Sequence, residues 1–474
     1  MIIVPANSAS AAGGFSVANS CRFNDGDSPE LHKTPGSAGN QDSWTFSIWL
    51  KRGELGATQK IFNGKSDSSN YQFFAFNTSD QLTYYSHFGG ASKGELTTNR
   101  VFRDVGAWYN ITFIHDSGNG TAGDRLQYWV NGVRETSFAA SSFPDQNQDG
   151  IINASGAKLS VASNQAAQYF DGYISEVVFL DAVTASPVDT LGEFDSDSPT
   201  IWKPKKVSGL TFGTNGFYLD FKDSSNLGND ANGGTDFTEV NLAAADQATD
   251  TPTNNFCVIN SLDNEFAEAT LSEGNCNTAM SASKYNYITS TFGLSKGKWY
   301  FEAKLTAAGG TAATVGIAAS PTSSASDYLG GDADGATILY QISGSGNKSI
   351  LHGTEASYGS TSIAVNSVLG IYIDLDNNKA YGSVNGTLQS ATGLNITAPA
   401  STVNGWYSPA FGDYDGSDAY TFAVNFGGCP AFSISSGNTD DNDYGNFEYS
   451  PNITGDGSAK SFYAICTKNL AEYG

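Results

Sequence analysis

The sequence predicts an all-β protein: two jelly-roll-type β-sandwich domains joined by an ordered connector. Three observations predict it. Apolar and polar residues alternate at period two through short runs. Asn-Gly, Asn-Asn and Gly/Ser/Asp clusters punctuate those runs. Helical periodicity is nearly absent, with room for about two turns at 187–194 and at 241–248. Many short strands between regular turns read as sandwiches. A chain of 474 residues is long enough for two of them.

In chain order, Trp44, Phe46, Ile48 and Leu50 share one face of a first strand. Tyr109, Ile111 and Phe113 share one face of another. Further strands are expected over 71–77, 82–88, 126–130, 158–162 and 173–180. Asn131-Gly132 supplies the two positive-φ residues of a type I′ turn, so 126–135 reads as a hairpin. The stretch 196–255 departs from this grammar. It is bounded by the Ser/Asp/Pro cluster at 195–200 and by Asp250-Thr-Pro-Thr-Asn-Asn255, and its aromatics mark an ordered connector packed on a domain. The domains are therefore 1–195, the connector 196–255, and 256–474. In the last of these, 298–305, 313–319, 337–342, 368–374, 379–384, 407–411 and 420–426 are expected strands. Asn385-Gly386 forms the second tight turn. Trp299, Phe301, Ile371 and Ile373 are candidate core, with the two pairs not assigned to one sheet.

Charge narrows the function. Lys plus Arg number 24 against 48 Asp plus Glu, a net of −24. The excess is even: 16 basic and 28 acidic residues before position 256, 8 and 20 after it. Such a surface repels nucleic acid and anionic membranes and favours solubility. No run approaches the roughly 20 apolar residues that span a bilayer. The apolar start Met1–Pro5 has no positive flank, so no signal peptide is expected. The five cysteines, Cys21, Cys257, Cys276, Cys429 and Cys466, are sparse and lack metal spacing. Reduced, buried thiols are expected, with Cys257–Cys276 or Cys429–Cys466 bridges as the alternative.

Particular motifs resemble known families. Trp44-Thr-Phe-Ser-Ile-Trp49, Ala107-Trp-Tyr-Asn-Ile-Thr-Phe113, Trp129-Val-Asn-Gly132 and Phe170-Asp-Gly-Tyr-Ile-Ser-Glu-Val177 resemble a laminin-G/concanavalin A-like domain over about 15–195. Lys296-Gly-Lys-Trp-Tyr-Phe-Glu302, Leu369-Gly-Ile-Tyr-Ile-Asp-Leu-Asp376, Ser383-Val-Asn-Gly386, Tyr407-Ser-Pro-Ala410 and Val424-Asn-Phe-Gly427 resemble a SPRY domain over about 284–428. Gly192–Asp195, Ile201–Lys205, Asn215–Phe221, Thr235–Thr238, Asp250–Asn255 and the ending Phe462–Leu470 are similar to segments of tailed-phage virion structural proteins, especially of marine phages. The resemblance implies a protein of the phage particle surface, made in the host cytoplasm without a signal peptide. Its position, tail or head, stays open.

Retaining glycoside hydrolysis needs two carboxylates about 5–5.5 Å apart, and no Glu-x-Asp-x-x-Glu strand motif occurs. Asp374 and Asp376 read as a turn. Asp145, Asn147 and Asp149 follow the opening order of a calcium loop, but Gly156 holds the twelfth position. A turn or a weak calcium site are the two readings, and no other cofactor is expected. The four histidines, His32, His87, His115 and His352, show no nucleophile pairing. Tyr328, Tyr358, Trp406 and Tyr414 fall in expected loops, where a ring could stack on a sugar; core packing or contact between subunits is the alternative for each. Trp202, Lys203, Lys205 and Lys206 form a basic aromatic cluster suited to docking on an acidic partner. Pairing of these lysines with Asp195 and Asp197 is the alternative.

The expected function is that of a non-enzymatic virion surface protein, a tail fibre or other appendage, aiding host adsorption through glycan or protein contacts. An architectural head-decoration or tail protein is the alternative, and a polysaccharide depolymerase is disfavoured. Expected partners are other virion proteins and a host surface glycan or protein, not nucleic acid or membrane. The protein is expected to be oligomeric in the particle.

Overall fold

Trp44, Phe46, Ile48 and Leu50 are all buried and lie on one strand, Ser43–Arg52, at the centre of an antiparallel sheet. The computed structural model describes residues 14–474 except 166, 283–284, 325, 332–334, 342–345, 415, 417 and 456–457. The chain divides after Thr253 into two compact units.

In the first unit, one sheet runs Val133–Arg134, Leu126–Val130, Trp108–Asp116, Ser43–Arg52, Gly172–Asp181, Ser20–Phe23, Gln247–Ala248, with Phe217–Leu219 also on Gly172–Asp181. The other runs Phe138–Ser142, Ala91–Val101, Gln81–Phe88, Asn70–Phe76, Gln59–Asp67, Lys158–Val161, Glu30–Lys33, Thr238–Val240. Stacked Phe46, Phe62 and Phe74, with Trp44, Phe113 and Phe179, fill the space between them. Offset and edge-on rings of this kind add to the area they bury.

The 196–255 stretch is ordered and supplies outer strands to both sheets. Val177–Phe179 takes Leu219–Phe217, Glu30–His32 takes Val240–Thr238, and Ser20–Cys21 takes Ala248–Gln247. At its end, Asp250 is nearly inaccessible. Its carboxylate meets Lys51 Nζ at 2.8 Å and accepts from Trp108 Nε1 at 3.0 Å. Beyond Thr253, Asn255 and Thr467 exchange hydrogen bonds within the second unit, and Lys468 N–H donates to Asn254 Oδ1.

The second unit packs a sheet centred on Lys298–Ala308 and Val368–Asp374 against one centred on Ala313–Ala318 and Ser408–Asp413. Trp299 pairs with Ile373 and Phe301 with Ile371, so all four share one sheet and one face. This fixes the assignment that the sequence left open. Both Asn-Gly turns have the required backbone: φ is 47° and 73° at Asn131 and Gly132, and 49° and 75° at Asn385 and Gly386. The five cysteines are buried and none is in a disulfide, so neither alternative bridge forms.

Residues 187–194, expected to hold about two helical turns, give a single turn at Pro187–Thr190 before a strand at Gly192–Phe194. Residues 241–248 give only a 3-10 turn at Ala244–Asp246 and a short strand, because Gln247 and Ala248 pair with the sheet instead. The C-terminal helix Thr467–Tyr473 was not expected. Asp440 holds its approach, accepting from Ala464 N–H and Asn469 Nδ2.

Candidate functional site

The two sheets of the first unit differ in what covers them. Ser43–Arg52 and Gly172–Asp181 are buried along both faces. Val178, Leu180, Leu191 and Tyr218 cluster on the outward side, with Val207 and Phe212 against them. The Trp202 ring lies over Gly132 and Gly192. The second sheet keeps the contrast between its faces. Gln72, Phe74, Leu82, Tyr84 and Ser86 are buried, while Tyr71, Phe73, Tyr85 and His87, at the opposite parity, are half-buried.

Those four rings form a continuous patch on the outer face. Tyr71 pairs with His87 and Phe73 with Tyr85 across neighbouring strands. Centroids are 5.5 Å apart for Tyr71–His87, 5.8 Å for Phe73–Tyr85 and 6.2 Å for Tyr71–Tyr85. Lys60 Nζ sits 2.9 Å from the Phe73 centroid, and burial pushes its pKa down to about 7. Polar groups flank the rings. Thr83 and Thr97 hydroxyls meet at 2.8 Å beside Glu95. On the other side, Glu30 accepts from Lys158 and from Ser163 Oγ at 2.6 Å, with His32 Nδ1 3.0 Å away. Burial raises the Glu30 carboxyl, but the Lys158 and Ser163 hydrogen bonds and the nearby positive charges outweigh it and hold it below the usual range.

A half-open row of rings with hydroxyls, amines and carboxylates at its margins suits saccharide C–H faces and hydroxyls. Acid-pair hydrolysis has no matching geometry across Glu30 and Glu95. Their strands stand five positions apart in the sheet, about 24 Å at strand spacing, against the roughly 5–10 Å such chemistry needs.

The residues singled out from the sequence are distributed as follows. Trp202 is buried and its Nε1 donates to Asn110 Oδ1 at 3.0 Å, which corrects its reading as a docking residue. Trp202 and Pro204 turn inward from one face of a short strand, and this alternation leaves Lys203 to meet Asp195 at 2.9 Å. Lys205 and Lys206 are exposed. For Tyr358 the core-packing alternative holds: its ring is buried in the second core and its hydroxyl accepts from Gly382 N–H. Tyr328 and Tyr414 do come together, 4.5 Å apart and edge-on, with Tyr340 and the exposed Tyr285 next to Tyr414. Trp406 is half-buried, in the same loop as the 69% exposed Val403. Asp145, Asn147 and Asp149 are exposed in a turn whose left-handed Asn147 donates its N–H to Ser117 O. Among the described residues, no group of three His, Cys, Asp or Glu side chains is placed to hold a metal.

The ring face itself escaped the sequence reading. Both parities of 71–76 are aromatic, so alternation could not tell core from surface. The available signal was an excess of rings over what one buried face requires.

Solved structures align with parts of the chain at low identity. A carbohydrate binding protein from Bacteroides ovatus, so designated provisionally, aligns at 15% identity and TM-score 0.34, over 48% of this chain and 58% of its own. A SAP-like pentraxin from Limulus polyphemus aligns at 13% and 0.29, over 42% and 100%. The SPRY domain of human HERC1 aligns at 13% and 0.26, over 33% and 91%. No curated protein sequence matches the chain. Family models do match: the concanavalin A-like lectin/glucanases superfamily over residues 25–187 and the SPRY domain over residues 298–398. The chain therefore carries a concanavalin A-like domain followed by a SPRY domain.

Proposed function

We propose that the protein is a non-enzymatic, lectin-like binding protein of a tailed-phage particle surface. In this reading it sits in a tail fibre or other appendage and aids host adsorption by holding a surface glycan. The open row of Tyr71, Phe73, Tyr85 and His87 carries the binding part. Rings left half-exposed on a sheet whose sister sheet is covered are a costly surface unless something stacks on them. The virion part is supported by the resemblance of the 192–255 segments and the 462–470 ending to phage structural proteins. Other virion proteins and a host glycan or protein are the partners this implies.

Incubating the full chain with a panel of purified bacterial surface polysaccharides tests the reading. Retention on at least one, without release of reducing ends, is expected. Absence of binding across the panel, or release of reducing sugar, contradicts it. Immunogold labelling of intact particles tests the placement, with label expected at the particle surface and none on particles contradicting it.

A further inference from the structure

We propose that the second unit holds a separate site for a neutral saccharide, in the cleft between the Asn385-Gly386 hairpin and segment 449–454. It stands independently of the ring face on the first unit.

Two anchors fix the segment. The buried Glu302 carboxylate accepts the N–H groups of Glu448 at 2.9 Å and Tyr449 at 2.7 Å. Tyr372 OH donates to Ser450 O at 3.0 Å. Gly386 then does two things. Its φ of 75° closes the turn, and its missing Cβ makes room for the Tyr449 ring, which a side chain there would meet at 2.6 Å. The cleft that results has a volume of about 330 Å³, within the range that holds small ligands.

Its lining selects the ligand class. The half-exposed Tyr449 ring, with Leu388 and Ile453, gives an apolar wall, and Ser450, Asn452 and Thr454 give hydroxyl and amide groups. No charged side chain lines it among the described residues. An ionic ligand would shed water with nothing to pair it. Ser450 Oγ accepts from Asn452 N–H at 3.1 Å and Asn452 Nδ2 donates to Asp441 Oδ1 at 2.8 Å. These bonds hold both groups at the cleft with further hydrogen-bonding capacity, and a pure hydrocarbon would strip their water without using it. A pyranose offers both an apolar C–H face for the ring and hydroxyls for the polar groups.

Saturation-transfer NMR on the full chain tests this with methyl α-glucoside, methyl β-galactoside and N-acetylglucosamine as neutral probes, and glucuronic and N-acetylneuraminic acids as charged ones. At least one neutral probe is expected to give a signal that persists in Tyr85→Ala, which alters only the first unit's face. In the Tyr85→Ala background the persisting signal should fall about tenfold or more on adding Asn452→Trp, which fills the cleft from an exposed position. Thr454→Trp, also exposed, repeats the block should Asn452→Trp lower the melting temperature. Neutral signals unchanged in both tryptophan variants, binding of charged probes only, or loss of the signal in Tyr85→Ala alone would each overturn the site while leaving the first-unit reading to its own test.

Discussion

His115 lies stacked on Trp44, ring centroids 4.9 Å apart and 11° from parallel, and neither imidazole nitrogen has a hydrogen-bond partner among the described residues. Burial pushes its pKa down to about 3. The unfolded chain takes up this proton near pH 6.5 and the folded one does not. The stability tied to the neutral ring is therefore complete above pH 6.5 and is lost as pH falls toward 3. His115→Phe should raise stability at pH 7 by about 1–2 kcal/mol by removing two orphaned nitrogens. It should also remove about 2 kcal/mol of loss between pH 7 and pH 5. Urea unfolding at the two pH values measures both effects. Glu176 works with the opposite sign. Its carboxyl accepts from Tyr218 OH at 2.6 Å, and burial pushes its pKa up to about 7. Its contribution is complete below pH 4.5 and lost as pH rises through 7. Glu176→Gln should thus flatten the stability profile between those limits, and an unchanged slope there would refute the assignment.

At the scale of elements, alternation made the strands legible and chemistry at their edges hid the sites. Ser43–Arg52 and Trp108–Asp116 were readable because polar residues separate their apolar ones. The Asn-Gly turns were readable because few residue pairs tolerate positive φ twice. Trp202 was misread because three lysines around it outweighed the period-two placement of Trp202 and Pro204, which buries both. Tyr358 stays open between stacking and core packing in the sequence because its Gly- and Ser-rich surroundings look like loop; its ring is in the second core. Nothing local in 467–473 announced the final helix, whose approach depends on Asp440 far back in the chain. Two element-scale outcomes follow. Asp250→Ala leaves Lys51 buried without its carboxylate and should cost about 3–5 kcal/mol, seen as a lowered urea midpoint. Gly132→Ala strains a φ of 73° and drives a Cβ to 2.4 Å from the Trp202 ring. Its melting temperature should fall further than that of Gly56→Ala, where the added Cβ meets open space at a similar φ.

For the whole molecule, the even spread of the −24 charge gives mutual repulsion that added salt screens. Melting temperature should therefore rise with moderate NaCl, and a fall would show that ion pairs such as Lys51–Asp250 dominate instead. The same charge favours neutral or weakly charged glycans over strongly acidic ones at long range. In the proposed reading, the open sheet of the first unit holds the glycan and the covered sheet does not. Isothermal titration of the full chain and of its Tyr71→Ala/Tyr85→Ala variant, with a polysaccharide the wild type retains, tests it most directly. An affinity loss of about tenfold or more is expected from two lost stacking rings, with the melting temperature of the variant close to that of the wild type. Equal affinity in the two proteins would contradict it.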